Sequence, residues 1–503
     1  MSSIDDDSID DGKVESKNLV EVVYKPTVTA SRNGHRDSIL EDEKRKGNRE
    51  TACWFLHWAA ITADVTLFAA GIGLSWTSPV IPVLQGPDNP FGRSITTTEE
   101  AWIAAITPLG SAIGPIAAGY CADKLGRKKA LLFLALPMIA GFFILAGANQ
   151  IGLYYLARFL TGLGSGSAFA VAPMYVAEIS QAHNRGKFGS AMGVLITLGI
   201  IYPFSIGPHL SIPIYSITCA IPLLIFLFVF TIFMPESPYY LVVQGKFDEA
   251  DAALRKLRQP GSDIRLELAE IREGVEQEKQ NSAGVKELFT SASGRKALYI
   301  SFGLVALQQF AGINPLMAFM KTIYEAAGST IPANTCTIIT GSVQVLSNTA
   351  CIFMVERMGR KKLLLISCIF CFLSMTVLGV YFCLKQKGFD VQPVFWLPIL
   401  CLIIYMLVFS FGLGPLPWTV MGEIFPSNIK GVASAMSSTI SFLSACLITF
   451  IFPVLSEILG MAGSFWLFAF FCFIGYFFVY FVLFETKGKS LAQIQKILQR
   501  ENN

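Results

Sequence analysis

The chain has 503 residues, of which 53% are hydrophobic and only 15% are charged, so an ordinary soluble enzyme is excluded. The formal net charge of +3 says little about partners, because the charges are clustered between long apolar runs. Runs such as Ala101–Ala122 and Ile458–Phe484 carry no charge and are long enough to cross a bilayer as helices, which takes about 20 apolar residues. Since main-chain groups in lipid must be hydrogen-bonded within their own segment, the sequence predicts an all-α membrane protein.

The polar residues 1–50 come first, and their low hydrophobicity predicts a disordered cytosolic N-terminal tail. Two sets of six apolar spans follow, an N-terminal half at 51–234 and a C-terminal half at 297–484. Residues 235–296 form a polar cytosolic linker, in which apolar residues at helical spacing predict short amphipathic helices. Residues 485–503 form a cytosolic C-terminal tail. The twelve spans are predicted at 54–84, 101–121, 130–149, 153–179, 187–208, 213–233, 297–325, 333–356, 363–384, 396–424, 431–456 and 464–484.

Lysine and arginine residues concentrate in alternate loops of this arrangement. The loops on the same side as the two termini are basic, whereas the opposite loops contain only Arg93, Lys321, Lys385 and Lys387. Because positive charge accumulates in the cytosolic loops of membrane proteins, both termini are predicted to be cytosolic. We expect the plasma membrane as the location of the protein.

Charged landmarks recur in the same order in the two halves, which indicates an internal duplication. Parallel six-helix halves of this kind are a transporter architecture. The recurring landmarks are Asp123–Lys129 with Glu356–Lys362, Glu178 and Arg185 with Glu423 and Lys430, and Glu236 with Glu485.

The landmarks are interpreted as a latch that gates the cytosolic side. Arg127 and Arg360 have the fork geometry that holds carboxylates, and the helix ends at Glu178 and Glu423 are within reach. Closing the two halves would assemble these pairs and opening would separate them; loops that only fix the topology are the alternative. The residues assigned to this latch are Asp123, Arg127, Glu178, Arg185, Glu356, Arg360, Glu423 and Lys430.

Three amide side chains, Gln308, Gln309 and Asn314, fall in the seventh span. Amides suit a sugar, because each offers N–H donors and a carbonyl acceptor to hydroxyl groups. Pro315 is expected to loosen the helix beside them, which is tolerated where a helix lines a cavity. The alternative is hydrogen bonding between helices, which also holds membrane bundles together.

The tenth span contains two Gly and two Pro within Gly412–Trp418, a composition that cannot form a regular helix. We interpret the interruption as a hinge over the cavity. Trp418 offers a flat apolar face to a sugar ring and an N–H to a hydroxyl, and ordinary packing is its alternative role.

Asp64 is an acidic residue within the first span, and intramembrane acids are functional by default. It is the candidate proton site of the chain. Arg158 is a candidate partner for it, and a position of Asp64 near the membrane surface is the alternative.

No nucleophile–base pair, metal-ligand spacing or nucleotide-binding loop is apparent in the sequence, and its four histidines are scattered. We therefore expect no enzyme activity, no catalytic or metal site, no cofactor and no nucleic-acid partner. The sequence leaves the oligomeric state open.

Together these motifs resemble the sugar porters of the major facilitator superfamily, over residues 54–490. The segment at 73–79 is similar to that of the insect facilitated trehalose transporter branch. The resemblance implies the major facilitator superfamily fold and a sugar site formed by Gln308, Gln309, Asn314, Gln344 and Trp418. The matching motifs are Asp-Lys-Leu-Gly-Arg-Lys-Lys at 123–129, Arg-Phe-Leu-x-Gly-x-Gly-x-Gly at 158–166, Pro-x-Tyr-x-x-Glu-Ile at 173–179, Pro-Glu-Ser-Pro at 235–238, Gln-Gln-Phe-Ala-Gly-Ile-Asn at 308–314, Gly-Pro-Leu-Pro-Trp at 414–418 and Glu-Thr-Lys-Gly-Lys-Ser-Leu at 485–491.

Several positions depart from the family pattern, so that sugar-facing hydrogen bonds are missing or moved. Gly193 and Ala318 are expected to enlarge the cavity, which would suit a disaccharide. Proton-coupled relatives carry an Asp in the first span, near the place that Gly71 occupies here. The other departures are Gln344, Ser410, Phe442 and Ala445.

We therefore expect a passive sugar facilitator, a uniporter that works by alternating access on a hexose or trehalose. A proton-coupled symporter that uses Asp64 is one alternative. A sugar sensor that transports little is the other, and the short segment after the last span disfavours it.

Overall fold

The computed structural model describes residues 54–86, 89–181, 184–280, 286–425, 427–489 and 491–500. All regular elements in these ranges are helices. The predicted tail at 1–50 lies outside the described residues.

The N-terminal group consists of long helices that run back and forth, joined by short turns. The first two helices continue one another and form a single span, Trp54–Gln85. The helices are α1 Trp54–Ser75, α2 Thr77–Gln85, α3 Thr97–Leu125, α4 Arg127–Gly147, α5 Ile151–Ile179, α6 Arg185–Ile206 and α7 Ile212–Phe233.

Shorter helices connect this group to the second one: α8 Pro238–Val243, α9 Phe247–Leu257, α10 Ile264–Gln280 and α11 Lys286–Thr290. In α9 the residues Ala250, Leu254 and Leu257 are buried, as their helical spacing suggests. Phe247, on the same stripe, is 39% exposed, and the Arg272 guanidinium lies over its ring.

The C-terminal group repeats the pattern with more interruptions. Its longest helix contains Gly460 at a φ of +74°, where two helices meet end to end. The helices are α12 Ala292–Phe310, α13 Ile313–Ala318, α14 Met320–Ala327, α15 Ala333–Met358, α16 Arg360–Gln386, α17 Leu397–Phe411, α18 Leu416–Ile424, α19 Ser427–Val482 and α20 Leu491–Arg500.

Within the described ranges, 10 helical stretches are long and apolar enough to cross a membrane. One of them, Ile429–Val482, holds two spans because it is interrupted at Gly460. A further helix, α15, has 26 residues, which is long enough for a span although its composition is less apolar. The fold is therefore that of an all-α membrane protein with twelve transmembrane helices in two sets of six, as the sequence predicted.

The buried apolar residues form two large clusters, one for each group of helices. We call the end of the bundle that carries Asp123–Lys129 and Glu356–Lys362 the charged end. Among the described residues, four of the N-terminal group belong to the C-terminal cluster, and all of them lie toward the opposite end. Packing between the two groups therefore closes the opposite end in this conformation. The four residues are Ile81, Ala104, Ile200 and Phe204.

The helices α3 and α5 of the N-terminal group pack closely, and this contact depends on small residues. A Cβ atom at Gly110 would lie 2.3 Å from the carbonyl oxygen of Phe159, and one at Gly162 would lie 2.0 Å from that of Thr107. Ser111 uses the same proximity, since its hydroxyl donates to the Gly162 carbonyl at 3.0 Å. Small residues spaced in this way let the backbones of membrane helices approach closely.

We predict that Gly110→Ala destabilises the protein, because the added methyl group would overlap the main chain of α5. Overpacking of this kind costs about 1–3 kcal/mol, and it should lower the melting temperature of the protein in detergent. Gly119→Ala in the same helix is the matched control, since a Cβ atom there meets nothing within 4 Å. Equal melting temperatures for the two variants would contradict this account of the α3–α5 contact.

Candidate substrate site and charge clusters

The three amide side chains of the seventh span lie at a break in that span. The helices α12 and α13 meet at Gly312, which has a left-handed φ of +94°. This turn lets the Asn314 side chain donate a hydrogen bond to the carbonyl oxygen of the Gln309 side chain. The sequence places the loosening at Pro315, whereas the structure places it at Gly312, because glycine readily adopts a positive φ.

Gln308, Gln309 and Asn314, here called the amide cluster, also bind two other helices. Gln308 Nε2 donates to the main-chain carbonyl of Gly414 at 2.6 Å, and Gln309 Nε2 donates to Ser441 Oγ at 2.9 Å. Both glutamines are buried. The hydrogen bonding between helices that the sequence left as an alternative is therefore present in this conformation. Each amide has two N–H groups and two lone pairs, so capacity for a ligand remains.

The tenth span breaks between α17 and α18, within Gly412–Pro415. The N–H of Gly414 binds the carbonyl of Phe409 at 2.7 Å, and the N–H of Leu413 donates to Ser367 Oγ at 3.2 Å. The break predicted from the sequence is therefore present, and side chains satisfy part of its main chain. Because Gln308 binds Gly414, the breaks of the seventh and tenth spans are joined directly.

Two residues of this region were missed in the sequence analysis. Ser441 Oγ accepts a hydrogen bond from the Gln309 amide. The Tyr405 hydroxyl donates to the carbonyl of Ala311 at 2.9 Å, next to the break in the seventh span. The polar stretch Ser437–Ser441 in an otherwise apolar run was a signal for the first of them. Tyr405 had no comparable signal, because it is one of 15 tyrosines in the chain.

Gln344 and Trp418 are the other two residues assigned to the sugar site. Gln344 is buried in α15, and its side chain has no hydrogen bond to another described residue. Trp418 is half-buried in α18 and packs against the apolar core of the C-terminal group. The structure joins neither of them to the amide cluster by a hydrogen bond, so their roles stay predictions.

The positions that depart from the family pattern lie in two environments. The Gly193 carbonyl accepts a hydrogen bond from Asn348 Nδ2 at 3.4 Å, and the Phe442 ring lies 5.9 Å from that of Phe169. Both contacts join the N-terminal group to the C-terminal group. Ala318, by contrast, is 4% exposed within the C-terminal core. The expected enlargement of a cavity at Ala318 stays a prediction.

Four residues form the N-terminal charge cluster: Arg127, Glu178, Glu236 and Ser237. Arg127 Nε donates to both carboxylate oxygens of Glu178, at 3.0 Å each. Glu236 Oε1 accepts the main-chain N–H groups of Arg127 and Lys128 at 2.8 and 2.9 Å, so it caps the first turn of α4. The Ser237 hydroxyl donates to Glu178 Oε2.

Arg360, Glu423, Glu485 and Thr486 form the C-terminal charge cluster at the matching place. Arg360 Nη2 lies 2.8 Å from Glu423 Oε1, and Glu485 accepts the N–H groups of Arg360 and Lys361 at 2.9 and 3.1 Å. Burial acts to raise the pKa of Glu485, but the main-chain N–H groups around it outweigh burial and lower that pKa. The capping bond therefore stabilises the fold at neutral pH, and this contribution is lost as the pH falls through the lowered pKa.

Each arginine binds the glutamate of its own helix group, so the pairs are already formed within the groups. The expectation that they assemble as the two halves close is wrong for this conformation, because no contact between halves is needed. Asp123 is 77% exposed and lies 3.8 Å from Arg127, and Lys430 is exposed. The side chains of Arg185 and Glu356 lie outside the described part of the structure. A latch role for these residues stays a prediction.

Asp64 is fully buried in α1, and neither of its carboxylate oxygens has a hydrogen-bond partner among the described residues. Arg158 donates instead to the carbonyls of Gly73 and Ile103, at 2.9 and 3.2 Å, with its guanidinium 5.3 Å from the Trp76 ring. The predicted pairing of Asp64 with Arg158 is therefore wrong, because the arginine is engaged elsewhere. Burial within the protein does not give the depth of Asp64 in the bilayer, so a position near the membrane surface stays an alternative prediction.

Two sets of six spanning helices, with helix breaks and buried amides in the interior, are typical of secondary transporters. Residues 42–498 match the family model described as "Sugar (and other) transporter". The chain belongs to this family. The match agrees with the expectation that the protein is not an enzyme.

Curated relatives of the chain are named as trehalose transporters. The facilitated trehalose transporter Tret1 of Drosophila mojavensis is 33% identical over 447 residues, which cover 88% of this chain and 51% of the relative. Trehalose transporter 1 of Drosophila melanogaster is 34% identical over 447 residues, which cover 88% of this chain and 52% of the relative. The chain thus spans about half the length of the curated relatives it matches.

Solved structures with a similar fold include the xylose transporter XylE from E. coli. Its inward-open conformation matches with a TM-score of 0.73 at 22% identity, over 88% of this chain and 99% of that one. The proton:xylose symporter XylE bound to 6-bromo-6-deoxy-D-glucose matches with a TM-score of 0.71 at 23% identity, over 89% and 100% of the two chains. These likenesses show a major facilitator superfamily fold, as the sequence predicted.

We predict that Glu236→Ala destabilises the N-terminal group. The variant leaves the main-chain N–H groups at the start of α4 without their acceptor, which costs about 1–3 kcal/mol for a buried group. The measurement is the melting temperature in detergent, which should fall.

Glu249→Ala is the matched control for this prediction, because Glu249 belongs to an exposed pair with Lys246 at 2.9 Å. Such surface pairs contribute about 0–1 kcal/mol. If Glu249→Ala lowered the melting temperature as much as Glu236→Ala, capping by Glu236 would not be the cause.

Proposed function

We propose that the protein is a passive sugar facilitator, a uniporter that exposes its substrate to the two sides of the membrane in turn. The observation that carries the proposal is the amide cluster at the joined breaks of the seventh and tenth spans. Irregular backbone inside a membrane protein is tolerated where it lines a cavity, and substrate sites of transporters lie at such interrupted helices.

The chemistry of the amide cluster suits a polyhydroxylated, uncharged substrate. Each amide both donates and accepts hydrogen bonds, as sugar hydroxyls require, and the cluster contains no charged side chain. Trp418 would supply an apolar face for a sugar ring, and the buried Gln344 a further amide. We propose a hexose or trehalose as the substrate, and the names of the curated relatives support trehalose.

Movement in this proposal is a rocking of the N-terminal half, 51–234, against the C-terminal half, 297–484. The contacts between the two groups at the opposite end would open, and the charged end would close in return. We propose that the charged end faces the cytosol of a plasma-membrane protein with cytosolic termini, since basic loops collect on the cytosolic side. The charge clusters would then bias the protein between its two states.

We predict that purified protein in liposomes takes up labelled trehalose or glucose with saturation, and that Gln309→Leu weakens this uptake. Each lost hydrogen bond contributes about 0.5–1.5 kcal/mol, so the loss of two raises KM roughly tenfold. The measurements are initial uptake rates and equilibrium sugar binding for each protein.

Two controls accompany Gln309→Leu. Gln277→Leu removes an exposed amide in α10 and should leave KM unchanged. Ser441→Ala removes the partner of Gln309 but keeps the amide, so it should change KM far less than Gln309→Leu. Absence of saturable uptake of any sugar would overturn the proposal, and binding without flux would identify a sensor instead.

A proton-coupled symporter is the second candidate, and Asp64 is the observation that favours it. A buried ionised carboxylate without a partner is very unfavourable, so Asp64 fits its neutral, protonated form best. A group that carries a proton within a spanning helix is the minimum that proton coupling requires.

For the facilitator, we predict that Asp64→Asn retains uptake and that a protonophore has no effect on the initial rate. Asparagine keeps the size of the side chain and replaces the acid by a neutral amide. If the protonophore abolished uptake by the original protein and Asp64→Asn did the same, the symporter would replace the facilitator as the function.

A further inference from the structure

The two charge clusters use matching hydroxyl groups differently. In the N-terminal cluster the hydroxyl of Ser237 donates to Glu178 Oε2. Thr486 and Glu423 are the counterparts of these residues in the internal repeat. Thr486 Oγ1 and Glu423 Oε2 are both buried, and neither has a hydrogen-bond partner among the described residues. The bond that the repeat predicts is therefore missing in the C-terminal cluster.

The arginines show the same difference. Arg127 Nε reaches both oxygens of Glu178 at 3.0 Å, whereas Arg360 reaches only Oε1 of Glu423, with Nε at 3.1 Å and Nη2 at 2.8 Å. The oxygen of Glu423 without a donor is the one that the Arg360 guanidinium does not bind. The Thr486 hydroxyl and one carboxylate oxygen of Glu423 thus lack partners where the N-terminal cluster has a hydrogen bond.

Buried polar groups without partners are rare, because each loses its hydration and gains nothing in return. Here the two unpaired groups are complementary, since the hydroxyl donates and the carboxylate accepts. A movement that joins Thr486 to Glu423 would satisfy both groups at once.

The helix that carries Glu423 is a short segment set off by a break. α18 is separated from α17 by the break at Gly412–Pro415, so it can tilt as a short unit. Its counterpart Glu178 lies near the end of α5, a continuous helix of 29 residues. The two clusters differ in the freedom of the helix that carries the glutamate.

We propose that Thr486 Oγ1 donates a hydrogen bond to Glu423 Oε2 in a second conformation, in which α18 has moved relative to the end of α19. Thr486 is then a positioning residue that biases the protein away from the described conformation, whereas Ser237 holds its cluster in both. This rests on the proposed function in one respect, namely that transport requires a second conformation.

The test measures the populations of the two conformations directly. Spin labels at Lys187 in α6 and Val432 in α19 report the separation of the two groups at the charged end, and both positions are exposed. The labels are introduced as unnatural amino acids, because the chain has 11 native cysteines. Pulsed electron–electron double resonance in lipid nanodiscs then gives the distribution of distances between the two labels.

Thr486→Val removes the hydroxyl and keeps the shape of the side chain. It removes the cost of burying an unpaired hydroxyl in the described conformation, and it deletes the hydrogen bond in the second one. The expected result is a population ratio shifted about tenfold toward the described conformation, which equals about 1.4 kcal/mol. Thr486→Ser keeps the hydroxyl and should behave like the original protein. If Thr486→Val fails to fold, Thr486→Ala provides the same deletion.

Ser237→Ala separates a positioning role from a merely structural one. It removes a bond that is present in both conformations, so it should lower the melting temperature without changing the distance distribution. The proposal would be overturned if Thr486→Val left the populations unchanged or if Ser237→Ala shifted them as much as Thr486→Val does. It would also be overturned if every protein showed a single distance between the labels. The labels report the conformation whether or not sugar is transported. If the populations shifted as expected but the protein transported nothing, only the proposed function would be overturned.

Discussion

Main-chain hydrogen bonding decides where this chain can interrupt its helices. Inside a bilayer a free N–H or C=O group has no water to bind, so a break in a spanning helix is stable only where other groups satisfy it. The breaks in the C-terminal group meet this condition, since Tyr405 binds the Ala311 carbonyl and Gln308 binds the Gly414 carbonyl. The polar side chains of the interior therefore support the fold in the absence of any ligand.

Under the proposed function, this double use would link ligand binding to helix movement. A sugar hydroxyl that took the N–H of Gln308 now bound to Gly414 would displace the carbonyl of Gly414. Release of Gly414 would loosen the tie between the seventh and tenth spans at the point where both are broken. Binding and hinge movement would then be coupled through one side chain, without a relay across the protein.

The sequence predicted the elements that depend on local composition. Long apolar runs located the spans, and the density of Gly and Pro located the break in the tenth span within Gly412–Trp418, where the structure has it at Gly412–Pro415. It placed the break of the seventh span at Pro315 and not at Gly312, because it does not show which residue adopts a positive φ. It also paired Arg158 with Asp64, since composition does not show that the guanidinium lies beside the carbonyl of Gly73. Such partners depend on how helices face each other in three dimensions.

The internal repeat extends beyond the spanning helices. Arg258, between α9 and α10, donates to the carbonyl of Ile179 at 2.9 Å, and Gln495 of α20 donates to the carbonyl of Ile424 at 2.8 Å. Ile179 and Ile424 close the corresponding helices α5 and α18, so each half ends with a polar surface segment that caps the same position. Each group therefore satisfies the last carbonyl of its own helix with a segment of its own, so neither group needs the other to complete this end.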